Sequence, residues 1–407
     1  MNVLTLSWRY LWSRPLATAL NLLLLALGLA SMAFVLIARD QVDRAFERDL
    51  AGIDVVVGAK GSPMQLILAG VFHLDVPPGN IPLTDANALA QHPQVAQLIP
   101  LSLGDNLRGF RIVGTTRDYP AHYGVQLDSG QLWGEPMQAV LGAQVVAATH
   151  LQIGQAFEGA HGLGAGGASH GETPYTVVGV LKPCGCVLDR LVLTATESVW
   201  QVHDDMHASD SMDEAERAEL KEALLDERDI TLALIRYNTP LAAVSFPRFI
   251  NQTTSMQAAA PALEITRLLN MVGVGTQVLR ALAAVLLVVA GLSVFIALWS
   301  AVRERRADLA MLRLLGAPPS RVAALLLCEA LWLALLACAL GLLAAHALTA
   351  VAGDLLMAQQ SLAISGWQWM PGEAWVPVLA FCVAVVAALL PAIHAYRIEL
   401  HPFLNAR

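Results

Sequence analysis

Charged side chains are scarce in this chain: Asp, Glu, Lys and Arg make up 14% of its 407 residues, whereas apolar residues make up 56%. An ordinary soluble domain carries about 25% charged residues. The formal net charge is −8 at pH 7, so no basic surplus is available to neutralise the phosphates of a nucleic acid. The composition favours a membrane protein and argues against nucleic acid as a partner.

Two motifs of nucleotide and metal chemistry are absent. The sequence contains no Gly-x-x-x-x-Gly-Lys-Ser/Thr loop, which would cradle the phosphates of ATP. It also has no His-Glu-x-x-His helix of the zinc protease type. We therefore expect no catalytic residues, no bound cofactor and no enzyme activity on this chain.

Cysteine is also scarce, with five residues in the chain. Cys328, Cys338 and Cys382 lie in apolar segments, where cysteine behaves as a small buried hydrophobic residue. Cys184 and Cys186 lie outside those segments, and three interpretations stay open for them. They form a turn without special chemistry, a disulfide or redox pair strained by its small ring, or part of a metal site.

Histidines add to the metal hypothesis. Two of them are four residues apart, a spacing at which two imidazoles of one helix bind the same ion, and two others lie among the glycines of residues 159–172. Such polar loops are usually only solvated, so we predict no metal site. The candidates for zinc or copper are His161, His170, Cys184, Cys186, His203 and His207.

Four apolar segments are long enough to cross a bilayer, which takes about 20 helical residues. The first is too long for the apolar core of a signal peptide and continues into the amphipathic stretch Arg39–Leu50, so we expect a retained helix. Pro391 is expected to kink the last one. The four segments are Pro15–Ile37, Gln277–Val302, Val322–Val351 and Trp375–Tyr396.

Between the first two spans, strand and helix patterns alternate irregularly, which predicts an α+β domain. The fold class is an α-helical membrane protein with four transmembrane helices, one plus three, around this large extracytoplasmic domain. The predicted strands are Ile53–Gly58, Arg111–Gly114, Tyr175–Leu181, Leu191–Thr194 and Ile230–Tyr237, and the predicted helices are Thr84–Ala90, one starting at Pro247–Asn251 and Glu214–Arg228. The predicted segments are 1–38 (first span), 39–276 (outer domain), 277–302, 303–321 (loop), 322–351, 352–374 (outer connection), 375–396 and 397–407 (tail).

The placement of positive charge predicts the orientation. Residues 352–374 contain no Lys or Arg, whereas residues 303–321 contain five Arg. By the positive-inside rule, both termini and the loop 303–321 face the cytoplasm, and the α+β domain lies outside. Trp367, Trp369 and Trp375 fit an aromatic belt at the outer interface.

The loop 303–321 carries the most information. Drawn as a helix, it places Arg303, Arg306 and Arg313 within about 80° of one face. Gly316 should end this helix, and Ser320 should cap a new one. The loop is therefore expected to be a short amphipathic helix that grips a partner protein. Its apolar residues on the other side are Met311, Leu314 and Leu315.

Glu329 lies inside the third span, about two helical turns beyond Ser320. An ionisable group in hydrocarbon is costly and is a functional hypothesis by default. Two arrangements stay open, snorkelling toward the cytoplasmic interface and pairing with an arginine of the loop. Three roles also stay open: a coupling or packing residue, a plain interfacial anchor and a proton carrier.

The chain resembles the permease subunits of MacB/FtsX-type ABC transporters over essentially its whole length. The most specific stretch is Arg305–Gly316, similar to the basic helix of that family, and Glu329 and Gly341 match its acidic and small positions. The end of the chain resembles the family's closing pattern through Pro391, Arg397, Pro402 and Leu404. In the outer domain the similar stretches are Ala139–Gly142, Ile153–Gly154, Val177–Val180 and Asp189–Arg190.

The resemblance implies an inner-membrane homodimer that binds a separately encoded ATPase, which carries ATP and Mg. Closing of the ATPases would move the outer domains (mechanotransmission), driving export or extraction of a periplasmic or lipidic substrate. A periplasmic adaptor, lipoprotein or binding protein would be a further partner, besides membrane lipids. The residues expected to contact the ATPase are Arg303, Arg305, Arg306, Asp308, Arg313 and Gly316.

Three alternatives stay open beside this function. An FtsX-like regulator would use the same ATP cycle to control a periplasmic cell-wall hydrolase. A metal-homeostasis ABC system would use the His and Cys candidates. A receptor unrelated to ABC transporters would use the outer domain to bind a ligand.

Overall fold

The computed structural model describes residues 2–162, 173–207, 228–358 and 364–397. The chain forms two compact units, which are described separately. Unit 1 consists of Met1–Asp43 with Met271–Arg407, and unit 2 consists of Arg44–Asn270.

The helices and strands of the described residues follow in chain order. The helices are α1 (Val3–Leu11), α2 (Pro15–Leu50), α3 (Pro63–Gly70), α4 (Leu83–Ala90), α5 (Asp118–His122), α6 (Ala143–Thr149), α7 (Thr196–His207), α8 (Ala242–Thr253), α9 (Pro261–Glu304), α10 (Arg306–Leu314), α11 (Pro319–Ala358) and α12 (Trp375–Tyr396). The strands are β1 (Val55–Ala59), β2 (Ile81–Pro82), β3 (Val95–Leu107), β4 (Phe110–Thr115), β5 (Leu127–Gly130), β6 (Gln138–Leu141), β7 (Ala156–Phe157), β8 (Ala160–His161), β9 (Tyr175–Leu181), β10 (Leu191–Ala195), β11 (Asp229–Ile230), β12 (Leu232–Tyr237) and β13 (Met256–Ala259). Two 3-10 turns cover Val187–Arg190 and Pro371–Ala374.

Four helical segments of the described chain are long and apolar enough to cross a membrane, which confirms the predicted one-plus-three pattern. They are Pro15–Leu50, Pro261–Glu304, Pro319–Leu355 and Pro371–Tyr396. Helix α2 has 36 residues and α9 has 44, so they are about 54 Å and about 66 Å long. Both helices exceed a hydrocarbon layer of about 30 Å.

Small residues let the helices of unit 1 approach closely. A Cβ atom on Gly341 of α11 would lie 3.0 Å from the carbonyl oxygen of Ala26 in α2. One on Gly28 of α2 would lie 3.0 Å from Leu287 of α9. Close backbone contact of this kind is the usual source of packing energy between helices in lipid.

Unit 2 is an α+β unit, as predicted, built on a mixed eleven-stranded sheet of the described strands. The strand order is β13-β1-β12-β3-β4-β10-β6-β9-β5, with β7 on β9 and β8 on β3, while β2 and β11 form a separate pair. The pairs β4–β10 and β6–β9 are parallel. Helix α8 covers one end of the sheet by burying Ala242, Phe246 and Ile250.

The structure shows where the helix bounds differ from the predicted segments. Helix α2 continues to Leu50, and α9 begins at Pro261 rather than near residue 277. Hydropathy marks only the part of a helix that crosses lipid, and no proline after Pro261 interrupts the helix in residues 262–276. Pro261 stands at the first position of α9, where proline is favoured because its missing N–H has no partner to lose.

Two predicted helix caps are wrong. Helix α4 begins at Leu83 after Pro82, so Thr84 lies inside its first turn. Helix α11 begins at Pro319, which places Ser320 inside that helix as well. In both cases a proline at or before the first turn sets the start. The predicted helix Glu214–Arg228 lies, except for Arg228, outside the described residues.

Candidate functional site

The loop between α9 and α11 contains the predicted short helix, α10, and a well-defined stop. Gly316 has φ of 93°, a conformation that favours glycine. The N–H of Gly316 donates to the carbonyl of Arg313 at 3.1 Å, and the N–H of Ala317 donates to that of Leu312 at 3.1 Å. These two bonds form a Schellman motif, so the predicted glycine stop is confirmed.

The two faces of α10 differ from those drawn on the sequence. The buried side chains are Leu309 and Ala310, which are 2% and 1% exposed. The predicted apolar face is instead open, because Met311 is 60% exposed, Leu314 50% and Leu315 80%. The predicted faces assume that residues 303–315 form one unbroken helix, whereas a turn at Arg305 separates α9 from α10.

The surface of the loop therefore combines apolar and charged side chains. Arg303, Arg306 and Asp308 are exposed, Gly316 is exposed at the helix end, and Arg313 is half-buried. Apolar and methionine side chains surrounded by arginine are the usual make-up of a protein–protein contact. Binding of a second protein here would bury apolar side chains and pair charged ones. The exposed apolar residues are Met311, Leu314 and Leu315.

Arg305 does not belong to this surface, contrary to its place among the expected ATPase contacts. Its side chain is 13% exposed and points into unit 1, where Nη1 lies 3.1 Å from Oε1 of Glu329. The Glu329 side chain is 5% exposed. Of the two arrangements left open for Glu329, the structure contains the pair with an arginine of the loop, and the role of that pair stays a prediction.

The N-terminal segment supplies contacts that the sequence analysis missed. Nη2 of Arg305 donates to the carbonyl of Tyr10 at 3.0 Å and to Oγ of Ser13 at 2.5 Å. The guanidinium also lies over the Tyr10 ring, 4.5 Å from its centroid. Arg14 pairs with Glu304 at the end of α9. No spacing in the sequence links residues so far apart.

In unit 2, Cys184 and Cys186 form a disulfide, with Cα atoms 5.1 Å apart. Of the three interpretations, the disulfide is the one that the structure contains. The Asp189 carboxylate accepts hydrogen bonds from the N–H groups of Cys184, at 2.9 Å, and Gly185, at 2.7 Å. Gly185 has φ of 63°, and Arg48 near the end of α2 donates to its carbonyl.

The other metal candidates are not brought together in the described residues. No group of three or more His, Cys, Asp or Glu that would hold a metal ion occurs in residues 2–162, 173–207, 228–358 and 364–397. His203 and His207 lie on α7, and His161 lies in β8. His170 is outside the described residues.

Residues 163–172 also contain a hydrolase-like spacing that bears on the expectation of no enzyme activity. Gly167-Ala-Ser-His-Gly171 matches Gly-x-Ser-x-Gly, and it lies outside the described residues as well. The absence of catalysis therefore stays a prediction.

A buried polar cluster in unit 2 holds the turn after α3. His73, with φ of 53°, has its Nε2 3.0 Å from the Tyr119 hydroxyl. Arg190 donates to the carbonyl of Phe72 and Arg111 to that of Asp75, both at 2.9 Å. Burial lowers the pKa of His73 well below its usual 6.5, and the two arginine charges act in the same direction.

Comparison with known proteins finds two matching family domains and a relative that aligns with most of the chain. The MacB-like periplasmic core domain matches residues 18–233, and the FtsX-like permease C-terminal domain matches residues 280–400. The chain is 24% identical over 415 residues to the pyoverdine export ATP-binding/permease protein PvdT of Pseudomonas entomophila, covering 98% of this chain and 59% of that protein. The chain thus spans less than two thirds of this relative's length.

A second relative and two solved structures are similar in part. PvdT of Pseudomonas putida is 25% identical over 192 residues, covering 46% of this chain and 28% of that protein. The periplasmic region of MacB from Actinobacillus actinomycetemcomitans has 13% identity and a TM-score of 0.35, covering 54% of this chain and 96% of its own. The extracellular domain of the transporter YknZ from Gram-positive bacteria has 11% identity and a TM-score of 0.31, covering 50% and 98%. Since the MacB-like match alone covers more than half of the sequence, the chain belongs to the MacB/FtsX-type family of ABC transporter permeases.

Proposed function

We propose that this chain is the permease subunit of an ABC exporter and that helix α10 docks an ABC ATPase lying outside these 407 residues. The observation that carries the proposal is the open apolar surface of α10, flanked by exposed arginines, between two membrane helices. ATP and Mg belong to the ATPase in this scheme. Two copies of the chain act together, as the family resemblance implies.

Burial of the α10 surface would supply much of the docking energy. Complete burial of one Leu or Met side chain contributes about 1.5–3 kcal/mol. Leu315 is 80% exposed, so most of this contribution is available when a partner covers it. Arg306 adds a planar fork that can form two hydrogen bonds with a partner carboxylate.

Two long helices support transmission of motion from the membrane to the outer domain. Helix α2 continues without a break from residues of unit 1 to residues of unit 2, and so does α9. The end of α2 is built into unit 2, where Asp49 accepts a hydrogen bond from the N–H of Val187 at 2.9 Å and Phe46 meets Phe72 with ring centroids 4.8 Å apart. In our proposal, closure of the ATPases moves unit 2 through these helices.

The orientation in this proposal puts α10 and both termini in the cytoplasm and unit 2 in the periplasm. It follows from the arginine asymmetry between the loop 303–321 and the connection 352–374. The relative named for pyoverdine export favours export over control of a cell-wall hydrolase. The cargo is then a substrate that the periplasmic side of the protein releases or extracts.

A matched pair of surface variants tests the docking site. Arg306→Glu with Leu315→Ser changes one exposed arginine and one exposed leucine of the loop. Leu241→Ser with Arg248→Glu makes the same changes at exposed positions in unit 2, directly before α8 and within it. Each full-length variant is purified from its native host in mild detergent, and co-purifying ABC ATPase is quantified by mass spectrometry.

With the loop variant, the amount of co-purifying ATPase should fall at least tenfold. With the unit 2 variant, it should equal that of the wild type. Equal recovery of the ATPase with both variants would contradict the docking proposal.

A further inference from the structure

Arg305 occupies the bend between the second membrane helix and the docking helix. Its φ and ψ of −95° and 17° depart from helical values, so α9 ends at Glu304 and α10 begins at Arg306. Backbone hydrogen bonds lie on both sides of the bend, from the N–H of Arg305 to the carbonyl of Ala301 at 3.0 Å and from the N–H of Leu309 to the carbonyl of Arg305 at 2.9 Å. The two helices are thus joined directly at Arg305, whose backbone is bonded to both of them.

The side chain at this bend connects to the third membrane helix. The guanidinium of Arg305 pairs with Glu329, which lies in α11, and both side chains are largely buried. A buried ion of one sign without its partner is strongly disfavoured, so the pair should stay closed while α10 moves. Any displacement of the bend is therefore passed to α11.

The same guanidinium also connects to the N-terminal helix. Two of its contacts use the last turn of α1 and the residues after it, namely the carbonyl of Tyr10 and the hydroxyl of Ser13. Helix α1 in turn packs along α11, where the rings of Trp8 and Trp332 are 5.1 Å apart. The pair of Arg14 with Glu304 adds a second link between the start of α2 and the end of α9.

We infer that Arg305 is the positioning residue of a three-way joint, and that α1 is a working part of this joint rather than a passive tail. This inference rests on the docking role of α10 proposed above. Motion of α10 reaches α11 through Glu329 and reaches α1 and α2 through Tyr10 and Ser13. A planar guanidinium holds these partners at once, whereas a lysine ammonium on a flexible stem holds them less firmly.

Two variants separate the joint from the buried ion pair. Arg305→Lys keeps the positive charge and loses the planar guanidinium that bonds several partners at once. Tyr10→Leu with Ser13→Ala removes the ring and the hydroxyl that contact the guanidinium, keeps the backbone carbonyl of residue 10, and leaves Arg305 facing Glu329. It therefore also covers the case in which Arg305→Lys fails to fold. Arg9→Lys is the matched control, because Arg9 is an exposed arginine of α1 that lies outside the docking surface.

The joint is measured directly with spin labels in the full-length chain. Cysteines replace Leu4 of α1 and Ala307 of α10, both exposed, after Cys328, Cys338 and Cys382 are replaced by alanine. We expect a narrow distance distribution in the parent and in Arg9→Lys. Both joint variants should broaden it at least twofold. An unchanged distribution in both joint variants would overturn the inference.

A second readout links the joint to coupling. The joint variants should recover an amount of ATPase within twofold of that of the wild type. The permease-dependent rate of ATP hydrolysis should fall at least fivefold in the same variants. Normal hydrolysis in variants with a broadened distribution would also overturn the inference. Failure of the docking proposal is recognised separately, because the loop variant Arg306→Glu with Leu315→Ser would then retain the ATPase.

Discussion

The buried His73 should make the stability of unit 2 depend on pH in a defined direction. In the folded chain its pKa is well below 6.5, because burial and the charges of Arg111 and Arg190 oppose protonation. In the unfolded chain an exposed histidine has a pKa of about 6.5. Below that pH the unfolded state binds one more proton than the folded state, so stability falls as the pH falls.

The size of the effect follows from linkage. One proton taken up on unfolding changes the free energy of unfolding by about 1.4 kcal/mol per pH unit below the unfolded pKa. Since His73 takes up at most one proton, the loss between pH 7.5 and pH 5.0 is at most about 2 kcal/mol. For a unit of this size the loss corresponds to a fall in Tm of about 4–8 °C.

Fluorescence-monitored melting of the full-length chain in detergent, at pH 7.5 and pH 5.0, measures this effect. The comparison is with His73→Asn, because asparagine tolerates the positive φ of this position and does not titrate. Other acidic and basic groups contribute equally to both proteins. We expect the Tm of the wild type to fall more than that of His73→Asn, by at most about 4–8 °C. Equal falls in Tm would refute the reasoning.

Two further predictions concern the disulfide and the helix packing. Alkylation of the denatured, unreduced chain should modify Cys328, Cys338 and Cys382 only, and after reduction Cys184 and Cys186 as well; modification of all five before reduction would contradict the disulfide. Gly341→Ala should lower the Tm although alanine favours helices, because its Cβ would lie 3.0 Å from the Ala26 carbonyl oxygen, whereas Gly372→Ala, with no atom within 4 Å, should leave the Tm unchanged. A Tm that rises with Gly341→Ala would contradict the close helix contact.

The membrane part of the fold could be predicted because its signals are local. Long uncharged runs identify the four spans, and Gly316 identifies the end of α10 through a conformation that favours glycine. The start of α9 could not be predicted from hydropathy, since residues 261–276 are helical but only partly apolar. Strand β3 was missed because Pro100 and the stretch Gly104–Asn106 resemble turns, although all of them lie within the strand.

The sequence predicts which segment forms the candidate site, but it does not predict which of its side chains are exposed. The arginine-rich loop and its helix follow from the sequence, which left the pair of Glu329 with one of these arginines as one of two alternatives. Arg305 is the arginine that turns inward, and its partners there include Tyr10 and Ser13, almost 300 residues earlier in the chain, which no sequence pattern connects with it. The pairing of Cys184 with Cys186 was likewise left open. The hydrogen bonds from the N–H groups of Cys184 and Gly185 to the Asp189 carboxylate have no signature in the sequence.

The central claim is that the open face of α10 binds the ABC ATPase, and the affinity of that complex tests it most directly. The full-length chain in nanodiscs is titrated with the ATPase that co-purifies with it, comparing Leu315→Ala with Leu241→Ala, whose leucines are 80% and 75% exposed. Loss of the Leu315 side chain from a buried contact should raise Kd about tenfold, equivalent to about 1.4 kcal/mol, while Leu241→Ala leaves Kd unchanged. Equal Kd values for wild type, Leu315→Ala and Leu241→Ala would contradict the account.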